Sequence, residues 1–135
     1  MTSNDLATDY FKRCKMRIKA LKVLLDEGAY PDVVRESQEI VELLLKGFLR
    51  KKNIDPPKWH DVGSILDENR NILNPSILNE LDQILEFSKY LRRERENAFY
   101  GEEDIIPLQH FDQKIAQFCY DKVSWLIQLF QSEFN

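Results

Sequence analysis

Apolar residues recur along this chain at intervals of three and four, the spacing that places side chains on one face of an α-helix. Between Asn4 and Glu27 the stripe is Ala7, Tyr10, Phe11, Cys14, Ile18, Leu21 and Leu25, and Gly28 ends it. Pro31 opens a second helix that runs to Lys52, with Val33, Val34, Ser37, Ile40, Val41, Leu44 and Phe48 on its inner face. The segment NIDPPKWHDVGSILDEN reads as a loop and then a short helix capped by Asp61, with Val62, Ile65 and Leu66 turned inward. Asn74 and Pro75 form an N-cap and first-turn pair for a long fourth helix striped by Ile77, Leu78, Leu81, Ile84 and Leu85. The last helix spans Pro107 to Phe134, with Phe111, Ile115, Phe118, Cys119, Leu126, Leu129 and Phe130 inward. No stretch alternates with the period of a strand, and no repeat or linker interrupts the pattern. The chain is therefore predicted to be all-α, an up-and-down bundle of four long helices plus one short helix.

Length and charge narrow this picture. The 135 residues make one domain, 1–135, with a core of its own. Nineteen Lys and Arg against 23 Asp and Glu give a net charge of −4, which argues against a protein basic all over and leaves room for local basic patches. The start MTSNDLATDY lacks an apolar signal core, and no run approaches the roughly 18 apolar residues of a membrane span. A cytoplasmic protein with no membrane partner is the expectation. Its two cysteines, Cys14 and Cys119, are then reduced thiols, and Cys14 sits mid-stripe as a packing residue.

Most charged rows read as solvated faces. Lys12, Arg13, Lys15, Lys19 and Lys22 lie opposite the stripe of the first helix. On the second helix Arg35–Glu39 and Glu42–Lys46 stand at i,i+4 spacing, which supports a solvated helix by a few tenths of a kcal/mol. The aligned acids Glu36, Glu39 and Glu42 lack the His partners of a di-iron bundle. His60 and His110 give no metal-ligand spacing, and His60 reads as a loop anchor that could serve a site. No P-loop, dinucleotide glycine fingerprint or nucleophile elbow is present, so no cofactor is expected.

The segment LRRERENAFYG breaks the rule. Continued in steps of three and four beyond Leu85, the stripe of the fourth helix reaches Ser88, then Arg92, Arg95 and Glu96, then Phe99. Charged residues thus take the inward angle that Leu and Ile held two turns earlier. Burying Arg without partners costs several kcal/mol, so such residues are paired or line a cleft. Guanidinium groups in a cleft suit phosphate, and Tyr100 could stack on a base. The competing reading is that the bundle splays here and the arginines reach water, or pair with acids such as Glu96 or Glu102.

Together with YPDVVRESQEIVELLLKGFLRKKNIDPPKWHDVGSIL and EEDIIP, this segment resembles the HEPN domains of prokaryotes, over roughly Asp5 to Gln131. The resemblance implies an up-and-down bundle that usually forms a homodimer, with a cleft around the fourth helix. Many relatives pair with a small nucleotidyltransferase in a toxin–antitoxin arrangement. Others are metal-independent ribonucleases whose motif is an Arg followed, after four to six residues, by a His. Here Arg95 matches the motif Arg and Glu96 its polar neighbour, but Tyr100 stands at the His position, and neither Arg92 nor Arg93 has a His at the required distance. A phenol, with an ordinary pKa near 10, is a poor general base at neutral pH.

Three readings remain. In the first, Arg92, Arg95, Glu96 and Tyr100 bind a nucleotide or RNA phosphate without catalysis, Glu96 orienting the arginines. In the second, a ribonuclease uses Arg95 with His60 or Tyr100 in place of the missing His. In the third, the protein is purely an interaction bundle with Leu43, Leu49, Val23 and Trp125 on a partner surface.

Overall fold

Helix α1 (Ser3–Asp26) starts with a reciprocal cap. The Thr2 hydroxyl accepts from the Asp5 N–H at 3.1 Å, and the Asp5 carboxylate accepts from the Thr2 N–H at 3.0 Å. The chain is seen in a computed structural model that describes residues 2–56, 58 and 61–135; the expectation placed on His60 lies outside the described residues. Gly28, at φ 76°, turns the chain out of α1 into α2 (Tyr30–Lys51), which has Pro31 in its first turn. Helix α3 (Val62–Glu68) is capped by Asp61, whose carboxylate accepts from the Gly63 N–H at 3.0 Å. A 3-10 turn (Arg70–Ile72) leads to α4 (Pro75–Asn79), and α5 (Leu81–Phe99) follows. Helix α6 (Pro107–His110) precedes α7 (Gln113–Phe130), which runs into a 3-10 turn, Gln131–Phe134.

The four long helices of the predicted bundle are α1, α2, α5 and α7, and α3 is the expected short one. Two boundaries differ. Asn74 caps as expected, its Oδ1 accepting from the Ile77 N–H at 2.9 Å, but the helix it starts ends at Asn79 and the long one restarts at Leu81. Pro107 likewise opens only α6; Phe111 is extended (φ −103°, ψ 111°) before Asp112 caps α7. Apolar spacing runs through both breaks undisturbed, from Ile77 to Leu81 and from Phe111 to Ile115, so periodicity cannot register them.

Helix α2 is the axis of the bundle and touches α1, α3, α5 and α7. It buries Val33, Val34, Ile40, Val41, Leu44, Leu45, Phe48 and Leu49. Leu49 is fully enclosed, which removes it from the expected partner surface; Leu43 and Trp125 are partly buried against the core, and only Val23 of that group stands well exposed. Gly47 lets α1 approach: a Cβ there would lie 3.1 Å from the Tyr10 Cβ. Phe48 meets Phe130 edge to face at 5.2 Å, and Phe11 stacks on Phe134 at 4.4 Å. The C-terminal turn is held by Glu133, which pairs with Lys52 at 2.8 Å and accepts from the Asn74 amide at 3.0 Å. The α1 lysines and Arg13 of the expected solvated face are exposed. Among the described residues no helix is long and apolar enough to cross a membrane.

Candidate functional site

The three carboxylates Glu36, Glu39 and Glu42 were expected to face solvent. Instead their side chains are only 18%, 28% and 24% exposed, and each meets an arginine from another helix. Spaced by three, they form a ridge along α2 that lies in the grooves beside α1 and α5. Arg17 of α1 binds Glu36 with two hydrogen bonds, of 2.7 and 3.3 Å. The hydrogen bond to Glu36 raises the Arg17 pKa above its already high ordinary value. Arg95 of α5 donates to Glu39 at 3.0 Å. Arg92 of α5 lies 3.6 Å from Glu42 and 3.8 Å from Asp61. The i,i+4 contacts Arg35–Glu39 and Glu42–Lys46 are also present, at 3.9 and 3.6 Å.

The inward angle assigned to Arg92, Glu96 and Phe99 is corrected by this arrangement, whereas Arg95 is half-buried against α2. The buried positions of α5 are Leu81, Ile84, Phe87, Ser88, Leu91 and Ala98. Arg95 stands one heptad beyond the buried Ser88 and two beyond Leu81, so it keeps the angle that faces α2, where Glu39 meets it, while Arg92, Glu96 and Phe99 are exposed. Leu85 sits over α3, where its Cδ2 would touch a Cβ at Gly63, and Arg92, two turns on, accordingly meets the α3 cap residue Asp61. The arginines reach the surface and pair with acids, but the acids are Glu39, Glu42 and Asp61 rather than Glu96 or Glu102.

Three of the sequence-derived site residues do converge. Arg95, Glu96 and Tyr100 line a shallow pocket of about 270 Å³ with Arg35 and Phe99. The Arg35 guanidinium lies over the Phe99 ring at 4.1 Å, and Phe99 packs edge-on against Tyr100 at 4.7 Å. Tyr100 is 78% exposed and Phe99 46%, so Tyr100 is the more open ring, while Arg35 covers one face of Phe99. Arg35 and Arg95 approach the same Glu39 oxygen. One carboxylate cannot occupy the N–H donors of two guanidinium groups, so donors remain free beside the pocket. Arg92 does not line it; with Gln38, Glu42, Asp61 and Ser88 it borders a void of about 10 Å³, room for a single water.

The end of α5 is set by Gly101. Its φ of 70° terminates the helix, the Tyr100 and Gly101 N–H groups both donate to the Glu96 carbonyl, and Glu102 and Ile105 exchange backbone hydrogen bonds. A Cβ on Gly101 would collide with the Ile105 carbonyl and come within 2.7 Å of the Pro107 ring. The FYG triplet is thus a stop signal that presents two aromatic rings. Arg35, Glu39 and Phe99 were missed as site residues because α2 supplies two of them and Phe99 was placed in the core. The spacing of the three acids by three residues was the available signal.

His110 is exposed and packs edge-on to Phe111; it does not line the pocket. No group of three His, Cys, Asp or Glu side chains among the described residues is arranged to hold a metal. No curated protein and no solved structure matches the chain. The HEPN domain family model, however, matches residues 7–133, nearly all of it, and the chain belongs to the HEPN domain family.

Proposed function

We propose that this HEPN module binds a nucleotide or an RNA phosphate in the pocket at the end of α5, without cutting the RNA. The observation that carries the reading is the pair of guanidinium groups, Arg35 and Arg95, sharing one carboxylate beside two exposed aromatic rings. Guanidinium forks suit phosphate oxygens, and Tyr100, the more open ring, offers a face for a base. Glu96, on the pocket rim, is suited to accept from base amino groups or a ribose hydroxyl. Arg92 contributes at a distance, holding α5 to α2 and α3 through Glu42 and Asp61.

In this proposal the protein works as a homodimer and as the partner of a small nucleotidyltransferase in a toxin–antitoxin-like pair. These expectations come from the family, and exposed Ile106 and Leu108, beside the pocket in sequence, are apolar surface of the kind an interface covers. The test is titration of the full chain with ATP and with a short RNA at two salt concentrations, alongside Arg95→Ala. Salt-sensitive binding that drops at least tenfold in the variant, with the RNA intact, is the expected result. Equal binding by both proteins would remove the assignment, and RNA cleavage by the wild type would restore the ribonuclease reading.

A further inference from the structure

A second concavity lies between α5 and α7, and the pocket at the end of α5 does not explain it. Phe118 was expected in the core, yet it is 50% exposed. It is held edge-on to the buried Phe87 at 5.9 Å and forms the wall of a groove of about 410 Å³. At one end stand Lys89 and Arg93, with Tyr90 beneath the Arg93 guanidinium at 5.8 Å. Burial pushes the Tyr90 hydroxyl up to about 12, so it stays a protonated hydrogen-bond donor. Beyond Phe118 the groove continues into a second lobe of about 350 Å³, lined by Glu80, Asp121 and Trp125. Lys122 joins the lobes: it donates to Gln83 at 2.8 Å and lies over the Trp125 ring at 4.7 Å, and Gln83 donates to Glu80 at 3.0 Å.

Along the groove Lys89 and Arg93 stand at one end with Glu86 in the same lobe, Phe118 and Trp125 form the middle with Lys122 between the lobes, and Glu80 and Asp121 offer carboxylate acceptors at the other end. That order matches a nucleotide read lengthwise: phosphate, then stacked base, then base-edge amino group. A peptide or a second copy of the chain is less well matched, because the apolar centre between the charged ends is confined to a few aromatic side chains, small for the core of a stable protein interface. We propose that the α5/α7 groove binds one nucleotide of a single-stranded RNA, with Lys89 and Arg93 on its phosphate and a base carrying an amino group against Phe118. The inference rests on the phosphate-binding reading of the pocket at the end of α5 and extends it along the strand. Arg93, Asn97 and Tyr100 follow one ridge of α5, so the two sites are joined by one helix face. Tyr90 and Tyr100 are ten positions apart, about 15 Å along the axis, a distance that several nucleotides bridge.

The test measures binding of a labelled oligo(C) of about eight nucleotides, a length within the usual single-strand site size. Wild type, Phe118→Ala, Arg93→Ala and Arg95→Ala full-length chains are compared, and ultraviolet crosslinks are mapped by mass spectrometry. Phe118→Ala and Arg93→Ala are each expected to weaken binding about five- to tenfold, and Arg93→Ala to lower the salt slope by about one. Oligo(U), whose base presents a carbonyl where cytosine has its amino group, is expected to bind several-fold more weakly. Crosslinks are expected on the α7 peptide containing Phe118. Unchanged affinity in both groove variants, or equal affinity for the two oligomers, would overturn the proposal. So would tight binding of free CMP in the groove with no gain from the longer strand. Arg93 is well exposed, so its variant remains informative if Phe118→Ala misfolds. Loss in Arg95→Ala alone, with crosslinks confined to Phe99 and Tyr100, would sink the groove and keep the pocket; loss in the groove variants alone would do the reverse.

Discussion

Cys14 and Cys119 lie fully buried in the core, and burial pushes both thiols up to about 12. The Cys14 thiol donates weakly to the Ile40 carbonyl at 3.7 Å, so each acts as a small apolar filler. Neither is expected to react with a thiol reagent at neutral pH until the bundle opens; labelling rates in rising urea should follow unfolding, and fast labelling of the native protein would contradict the packing. Gly101 carries the other strong residue-scale expectation. Its positive φ and the collision awaiting a Cβ make Gly101→Ala destabilising by about 1–3 kcal/mol, read from urea midpoints. An unshifted midpoint would show that the α5 terminus can relax.

At the scale of elements, the acidic ridge of α2 is a latch for its neighbours, tying α1 through Arg17 and α5 through Arg95 and Arg92. Partial exposure keeps each pair worth little, on the order of 1 kcal/mol or less. The latch also restrains the proposed site, because Glu39 competes with any phosphate for Arg35 and Arg95. Glu39→Gln is therefore expected to lower stability slightly while tightening ATP binding several-fold, measured by calorimetry. Weaker binding in this variant would mean that Glu39 positions the arginines more than it neutralises them. Arg92→Ala should lower stability and leave nucleotide affinity within about twofold, because its guanidinium lies at a separate void.

For the whole molecule, closure of the bundle depends on the C-terminal turn, where Phe134 stacks on Phe11 and Glu133 joins Lys52 to Asn74. Burial raises the Glu133 carboxyl, but hydrogen bonds from Lys52 and Asn74 and the Lys52 and Lys51 charges outweigh it and hold the carboxyl below its ordinary value of 4.5. A depressed folded-state pKa means that the clamp's stabilisation is complete above the unfolded value and is lost as pH falls through the folded one. Glu133→Gln should thus flatten the loss of stability below about pH 4.5, followed by thermal melts. An identical acid profile in the variant would assign acid sensitivity elsewhere. Light scattering should give twice the chain mass if the proposed homodimer forms, and a monomer would remove it.

Residue spacing by itself determined the helical class, the four long helices, the caps at Asp61 and Asn74 and most of the core. These are local properties, set by neighbours within a turn or two of the chain. It also placed Arg95, Glu96 and Tyr100 in one segment, because that segment departs from the apolar rule. Only the tertiary structure decided what α5 meets at each end. The row of Leu81 and Ser88 leads on to Arg95, and packing set Glu39 of α2 rather than apolar side chains against it. Tertiary packing also chose the partners of the arginines, which come from α2 and the α3 cap, more than thirty residues away in sequence. It left Phe118 half in solvent, because α5 and α7 do not close on each other there and leave a groove between them. Helical periodicity specifies an angle around one axis; which neighbours meet that angle depends on how the axes pack.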